Sequence, residues 1–168
     1  HYEIAHKGME KLLKKTSEET YPLYQLTDAS MLFALGDNEE GGSLMAGAAR
    51  NLEVDINGLT TAIDLVGSEE KTHYRGYVHE RVMARYYSGL GYFQRGYYDT
   101  ASIYFRQAIE RDINKEKGKE NNFSCVHFML GETFLRQKDY GNAAVEFRRV
   151  AELMPQMSYA WYKLAHCE

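Results

Sequence analysis

Cysteine and proline are both scarce in this chain of 168 residues, which contains two of each. Two cysteines, Cys125 and Cys167, are too few to cross-link a small secreted domain, and so little proline excludes a proline-rich or collagen-like chain. No apolar run approaches the roughly 20 residues that a membrane-spanning helix needs. The net charge of -4 argues against a nucleic-acid-binding protein. The composition, 44% apolar and 26% charged, is typical of a single soluble domain or repeat array.

A pattern of small and aromatic residues recurs along the chain. A displacement of 42 residues relates Gly89, Tyr92, Tyr98, Ala101 and Phe105 to Gly131, Phe134, Tyr140, Ala143 and Phe147. A displacement of 34 relates His127, Leu130 and Gly131 to Trp161, Leu164 and Ala165. A displacement of 60 relates Ala29, Leu32, Gly36, Met45 and Ala48 to Gly89, Tyr92, Gly96, Phe105 and Ala108. Self-similarity at such spacings indicates stacked structural repeats.

One copy of this pattern matches a known family. The residues Leu130-Gly131-x2-Phe134, then Tyr140-x2-Ala143-x3-Phe147, then Pro155, resemble a tetratricopeptide repeat, and Trp161-x2-Leu164-Ala165 resembles the start of the next repeat. The resemblance implies an all-α fold, a right-handed α-solenoid of helical hairpins. In such a hairpin the small residues let two helices approach closely, while the large ones fill the space between them.

We predict a single array over residues 1–168. Its parts are a second helix without its first (1–16), a repeat with an extended second helix (20–66), two further repeats (76–113 and 122–155) and a first helix without its second (157–168). The predicted helices cover residues 2–15, 20–35, 38–66, 76–95, 98–113, 122–137, 140–153 and 157–168. The charged segment 114–121 is predicted to be a solvated loop. The stretch from Ile56 to Arg81 also resembles bacterial envelope proteins that combine such repeats with an extended second helix.

The two terminal helices suggest a function. Apolar residues with the spacing of a second helix open the chain, and residues typical of a first helix close it. We therefore predict a subunit interface formed by Tyr2, Ala5, Met9 and Leu12 of one copy and Tyr159, Trp161, Tyr162 and Leu164 of the next. Such a head-to-tail contact builds a filament or a ring, so the predicted function is that of a self-assembling scaffold. The alternative is that the sequence is part of a longer protein, cut within a repeat.

A second hypothesis concerns the concave surface that first helices line in this family. Carried over residue by residue, the resemblance implies a groove formed by Met83, Tyr86, Leu90, Phe93, Phe128, Glu132 and Leu135. The lining is apolar and lacks the basic clamp with which some members hold a terminal carboxylate. It would suit an amphipathic helix of a partner protein or another subunit, which makes an adaptor the alternative function. If the helix predicted over 56–66 covers these residues, they are core instead.

Signatures of catalysis are missing from the sequence. His73 and His79 are six residues apart and do not share a helical face, and Gly89-x-Gly91 lies within a predicted helix rather than after a strand. Cys125-x-His127 and His166-Cys167-Glu168 lack a second thiolate at close spacing. We therefore predict no enzymatic activity, no cofactor and no metal site.

Three features depend on the compartment. Asn122-Phe123-Ser124 is a formal glycosylation sequon that matters only in an exported protein, and a chance match is the plainer interpretation. Cys167 is expected to be a buried, unreactive thiol, with a bridge to a neighbouring subunit as the alternative. Because the chain begins with His1, we expect a processed form or a fragment. An extracellular or envelope location is favoured if that start reflects processing.

Overall fold

A computed structural model describes residues 1–17, 20–52, 74, 76–111 and 123–168. Across these ranges all regular secondary structure is α-helical, which confirms the all-α prediction. The helices are α1 (Tyr2–Leu13), α2 (Tyr21–Leu35), α3 (Asn38–Asn51), α4 (Val78–Gln94), α5 (Tyr98–Arg111), α6 (Ser124–Arg136), α7 (Tyr140–Leu153) and α8 (Ser158–Cys167).

Helix ends differ from the prediction mainly at α3. This helix ends at Asn51, with Leu52 as its C-cap, whereas the sequence pattern extended it to residue 66. Residues 53–66 of that extension lie outside the described residues, as do the loop 114–121, His73 and Asn122.

Consecutive helices pack on one another within two compact units, residues 1–84 and 85–168. In the first unit α1 packs on α2 and α2 on α3. In the second, α5 packs on α6, α6 on α7 and α7 on α8. A helix that buries one face against the helix before it and another against the helix after it is the coarse arrangement that stacked hairpins require.

The α2–α3 hairpin of the first unit shows how its turn is encoded. Gly36 follows α2 with a left-handed φ of 86°, a conformation that costs glycine little because it has no Cβ. Asp37 then caps α3, since its carboxylate accepts a hydrogen bond from the Glu40 backbone N–H at 3.0 Å. A Cβ placed on Gly41 would lie 3.2 Å from the Ala29 carbonyl oxygen, so glycine permits the close approach of the two helices.

In the second unit glycine faces a phenylalanine ring in two hairpins. A Cβ placed on Gly131 of α6 would lie 3.0 Å from the ring of Phe147 on α7. One placed on Gly89 of α4 would lie only 2.6 Å from the ring of Phe105 on α5. Both phenylalanines are fully buried. These contacts are the ones that the repeat pattern predicts, a small residue on the first helix under a large residue on the second.

The packing of α8 continues this core. Val150 and Ala151 of α7 form a buried cluster with Ala160 of α8, and the partly buried Phe128 and Met157 pack against it. The cluster fixes which face of α8 points inward and therefore which face remains outside.

Candidate interaction surfaces

The helices α1, α3, α5 and α7 correspond to the predicted second helices of the hairpins. Their equivalent residues differ in burial. In α3, α5 and α7 the inward positions are all buried: Gly41, Met45 and Ala48; Ala101, Phe105 and Ala108; Ala143, Phe147 and Val150. The equivalent residues of α1 are Ala5, Met9 and Leu12, preceded by Tyr2. Ala5 is exposed, Met9 is half-buried, and Tyr2 and Leu12 are 57% and 48% exposed. We call these four residues the α1 stripe, and no residue of α1 is buried.

The face of α1 that docks on α2 carries His6 and Leu13, and the half-buried Met9 lies between them. His6 Nδ1 donates a hydrogen bond to Asp28 Oδ1 at 2.6 Å, and Asp28 is almost completely buried. This hydrogen bond raises the pKa of His6, and the charges of Asp28, Glu10 and Glu40 act in the same direction. Beside this pair lies a cavity of about 570 Å³ that Leu13 also lines. Docking on α2 therefore covers part of Met9 and leaves Tyr2, Ala5 and Leu12 of the stripe exposed.

The helices α2, α4, α6 and α8 correspond to the predicted first helices, and their equivalent residues also differ in burial at two positions. The residues related to Trp161 by the repeat are Gln25, Arg85 and His127, and all three are buried. Those related to Ala165 are Ala29, Gly89 and Gly131, which are buried as well. On α8, by contrast, Ala165 is exposed and Trp161 is 49% exposed. We call Trp161, Tyr162 and Ala165, which share this outer face, the α8 stripe.

Trp161 needs no further polar partner. Its indole Nε1–H donates to the carbonyl oxygen of Pro155 at 3.1 Å. The half-exposed ring can therefore be buried by an apolar neighbour without leaving a donor unsatisfied.

Two residues of the predicted subunit interface also contact their own chain. Leu164 is only 6% exposed because it lies one helical turn after Ala160, on the face of α8 that packs on α7. The Tyr159 ring packs against Phe128 at 5.8 Å between ring centroids, and the Lys163 ammonium lies 5.2 Å from the Tyr159 ring centroid. Leu164 is therefore not part of the exposed surface of α8, whereas Tyr159 is 51% exposed and stacks on Tyr162 at 6.1 Å between ring centroids.

The residues predicted to line a groove are all half-buried: Met83, Tyr86, Leu90, Phe93, Phe128, Glu132 and Leu135. Burial raises the pKa of Tyr86 to about 12, so its hydroxyl stays neutral. Glu132 pairs with Lys163, its Oε1 lying 2.7 Å from the ammonium nitrogen. Burial alone would lower the pKa of Lys163, but hydrogen bonds to Glu132 and Tyr159 raise it on balance. The charge that the sequence placed in the groove is thus neutralised within the chain.

A small apolar cavity opens beside Tyr86 and Phe128. Its volume is about 240 Å³, and its lining is Tyr86, Ser124, Cys125, Phe128, Met129, Met154 and Met157. Methionine side chains adapt to irregular shapes, which makes such a lining suited to a range of apolar side chains.

The remaining candidate residues do not come together in one site. Cys125 is exposed, and Cys167 is half-buried with a pKa raised by burial rather than fully buried as expected. His127, in the slot of the repeat's usual tryptophan, pairs with Glu146 at 2.7 Å. Among the residues that the structure describes, no three His, Cys, Asp or Glu side chains are placed to hold a metal ion. The pairs His6–Asp28 and Glu132–Lys163 had no signal in the sequence, because their members are 22 and 31 residues apart.

Comparisons with known proteins give no family assignment. No family model matches the chain, and no curated protein matches it. Within the described ranges, every helix is too short or too polar to cross a bilayer.

Proposed function

We propose that this chain is a non-enzymatic scaffold, a right-handed solenoid of tetratricopeptide-like hairpins, whose copies associate head to tail. In this arrangement α8 of one copy and α1 of the next form one hairpin between them. The observation that carries the proposal is the exposure of Ala5 and Leu12 and the half-burial of Met9, since α3, α5 and α7 bury the residues equivalent to these three.

The strength expected of this contact follows from the area left to bury. Burying a large apolar side chain completely contributes about 1.5–3 kcal/mol. Tyr2, Leu12, Trp161 and Tyr162 are each about half to two thirds exposed, so each would contribute about half or more of that amount on full burial. Association costs at least about 4 kcal/mol in lost freedom of motion. We therefore expect reversible, concentration-dependent assembly rather than a permanent complex.

The geometry of the contact sets the kind of assembly. Its two sides are different surfaces, so an open assembly of any length ends in one uncovered α1 stripe and one uncovered α8 stripe. A contact of this type continues into a filament unless the rotation between copies closes a ring.

The proposal can be tested by sedimentation velocity over a wide concentration range, with electron microscopy of the concentrated samples. The variants are Trp161→Asp and, as a matched control, Ile103→Asp, an exposed apolar residue of α5 outside both stripes. We expect the wild type and the control to grow with concentration, and Trp161→Asp to stay monomeric with unchanged helical circular dichroism. A wild type that stays monomeric at every concentration would refute the proposal, as would unfolding of the Trp161→Asp monomer.

A second candidate function is an adaptor, favoured by the methionine-lined cavity beside Tyr86 and Phe128. An amphipathic helix or extended segment of a partner protein could insert an apolar side chain there. This function predicts a monodisperse monomer and a partner that is recovered by affinity capture. Capture should be lost with Phe128→Glu and retained with Ile103→Glu.

A further inference from the structure

We infer that the head-to-tail contact has one register, in which Trp161 of one copy lies over Gly8 of the next and Ala165 lies against Met9. The inference rests on the proposed function and adds the pairs of side chains that decide which helix α8 accepts.

The complete α6–α7 hairpin supplies the register. In it Gly131 lies under the Phe147 ring, and His127 Nδ1 bonds the Glu146 carboxylate at 2.7 Å. The 34-residue displacement carries His127 and Gly131 onto Trp161 and Ala165 of α8. The shared spacing of Tyr140, Ala143 and Phe147 with Tyr2, Ala5 and Met9 carries Glu146 and Phe147 onto Gly8 and Met9 of α1.

The pair Ala165–Met9 is selected by size. A phenylalanine on the second helix requires glycine on the first, because a Cβ at Gly89 or Gly131 would lie 2.6 or 3.0 Å from the facing ring. Ala165 already has that Cβ, so a second helix with phenylalanine, such as α5 or α7, would not fit against α8.

One hairpin of the chain already combines alanine on the first helix with methionine on the second. In the α2–α3 hairpin the two positions hold Ala29 and Met45, and both residues are buried. Of the described second helices, α1 and α3 carry methionine at this position, and that of α3 is already covered. Met9 of α1, which is half-buried, is therefore the matching side chain that is not yet fully covered.

The pair Trp161–Gly8 is a second, independent match. Trp161 is the only tryptophan of the chain and is half exposed. Nothing lies within 4 Å of a Cβ placed on Gly8. Glycine in the middle of an exposed helix disfavours that helix in an isolated subunit. A bulky ring packed on this position in the assembly is a physical reason for glycine there.

The first test uses Gly8→Leu, with Glu3→Leu as its control at an exposed site about 140° around α1 from Gly8. Because the space around Gly8 is open in the lone subunit, we expect Gly8→Leu to leave the monomer folded and to raise its helicity. We expect the same substitution to weaken self-association by about tenfold or more, as measured by sedimentation. Glu3→Leu should leave self-association within about threefold of the wild type.

The second test is a compensating pair. Met9→Phe alone should weaken association by about tenfold, because the ring meets the Ala165 methyl group. Adding Ala165→Gly should restore it to within about threefold, because this recreates the glycine–phenylalanine pair of α4–α5 and α6–α7.

The outcomes distinguish head-to-tail association itself from the register of the contact. A monomeric wild type overturns the head-to-tail proposal and this register together. A wild type that assembles, with Gly8→Leu unaffected or Met9→Phe not rescued by Ala165→Gly, overturns the register alone.

Discussion

Replacing Gly89 by alanine adds one methyl group where α4 lies close to the Phe105 ring of α5. The new Cβ would lie 2.6, 2.8 and 2.9 Å from three atoms of the Phe105 ring, where ordinary contacts begin near 3.4 Å. The ring is fully buried, with Tyr86 packed beside it at 6.0 Å between ring centroids. Relief of the overlap therefore requires α4 and α5 to separate by several tenths of an ångström.

Two effects of this substitution oppose each other. Overpacking a core of this kind costs about 1–3 kcal/mol, whereas exchanging glycine for alanine within a helix contributes about 0.8–1 kcal/mol of stability. The balance is a net loss of about 1 kcal/mol in the free energy of unfolding. Gly8→Ala is the matched control, because the same exchange at an open site should raise the stability of the monomer by up to about 1 kcal/mol.

Urea denaturation followed by circular dichroism measures both changes as shifts of the midpoint in opposite directions. The double variant Gly89→Ala with Phe105→Met imitates the Ala29–Met45 pair and should lose less stability than the sum of its single variants. If Gly89→Ala proves as stable as Gly8→Ala, the close glycine–ring contact does not exist in solution. The size argument for Ala165 and Met9 would then fail with it.

Three further predictions concern α1 and the hairpin turns. The His6–Asp28 hydrogen bond raises the pKa of His6, so it should stabilise the docking of α1 fully below about pH 6.5 and fade as the pH rises through the raised pKa. Hydrogen exchange of α1, corrected for intrinsic rates, should show this pH dependence and lose it in Asp28→Asn. Asp37→Ala removes the cap of α3 and should lower the free energy of unfolding by about 1 kcal/mol in urea. Lys138 has a left-handed φ of 62° where the other turns have glycine, so Lys138→Gly should raise the midpoint of thermal unfolding. An unchanged or lower midpoint would contradict that assignment of strain.

Much of the fold could be predicted from the sequence. Gly36 and Gly96, which the 60-residue displacement made equivalent, occupy the turns that end α2 and α4, and both have a left-handed φ. The third turn has Lys138 at that position, which shows that the register of the repeat rather than the glycine itself sets the backbone conformation. The prediction that small residues let the helices approach while large ones fill the space agrees with the close approach of Gly131 and the Phe147 ring.

The candidate interface could be predicted only in part. The sequence indicated α1 and α8 as the helices with unmatched apolar residues, but it did not separate their faces. Leu164 shares α8 with Trp161, yet it packs on α7 and is 6% exposed, whereas Trp161 is 49% exposed. Burial depends on the position of the neighbouring helix, and a rotation of α8 by a fraction of a turn would exchange these roles.

Periodicity and residue size by themselves determined that this chain forms helical hairpins and where their small and large residues meet. They could do so because helix formation and the contact between adjacent helices depend on neighbours that are close in sequence. Only the tertiary structure decided which of the equivalent stripes are covered. It also joined His6 to Asp28 and Glu132 to Lys163, residues from different helices. Exposure and ion pairing depend on the whole surroundings of a side chain, and those surroundings exist only once the helices are packed.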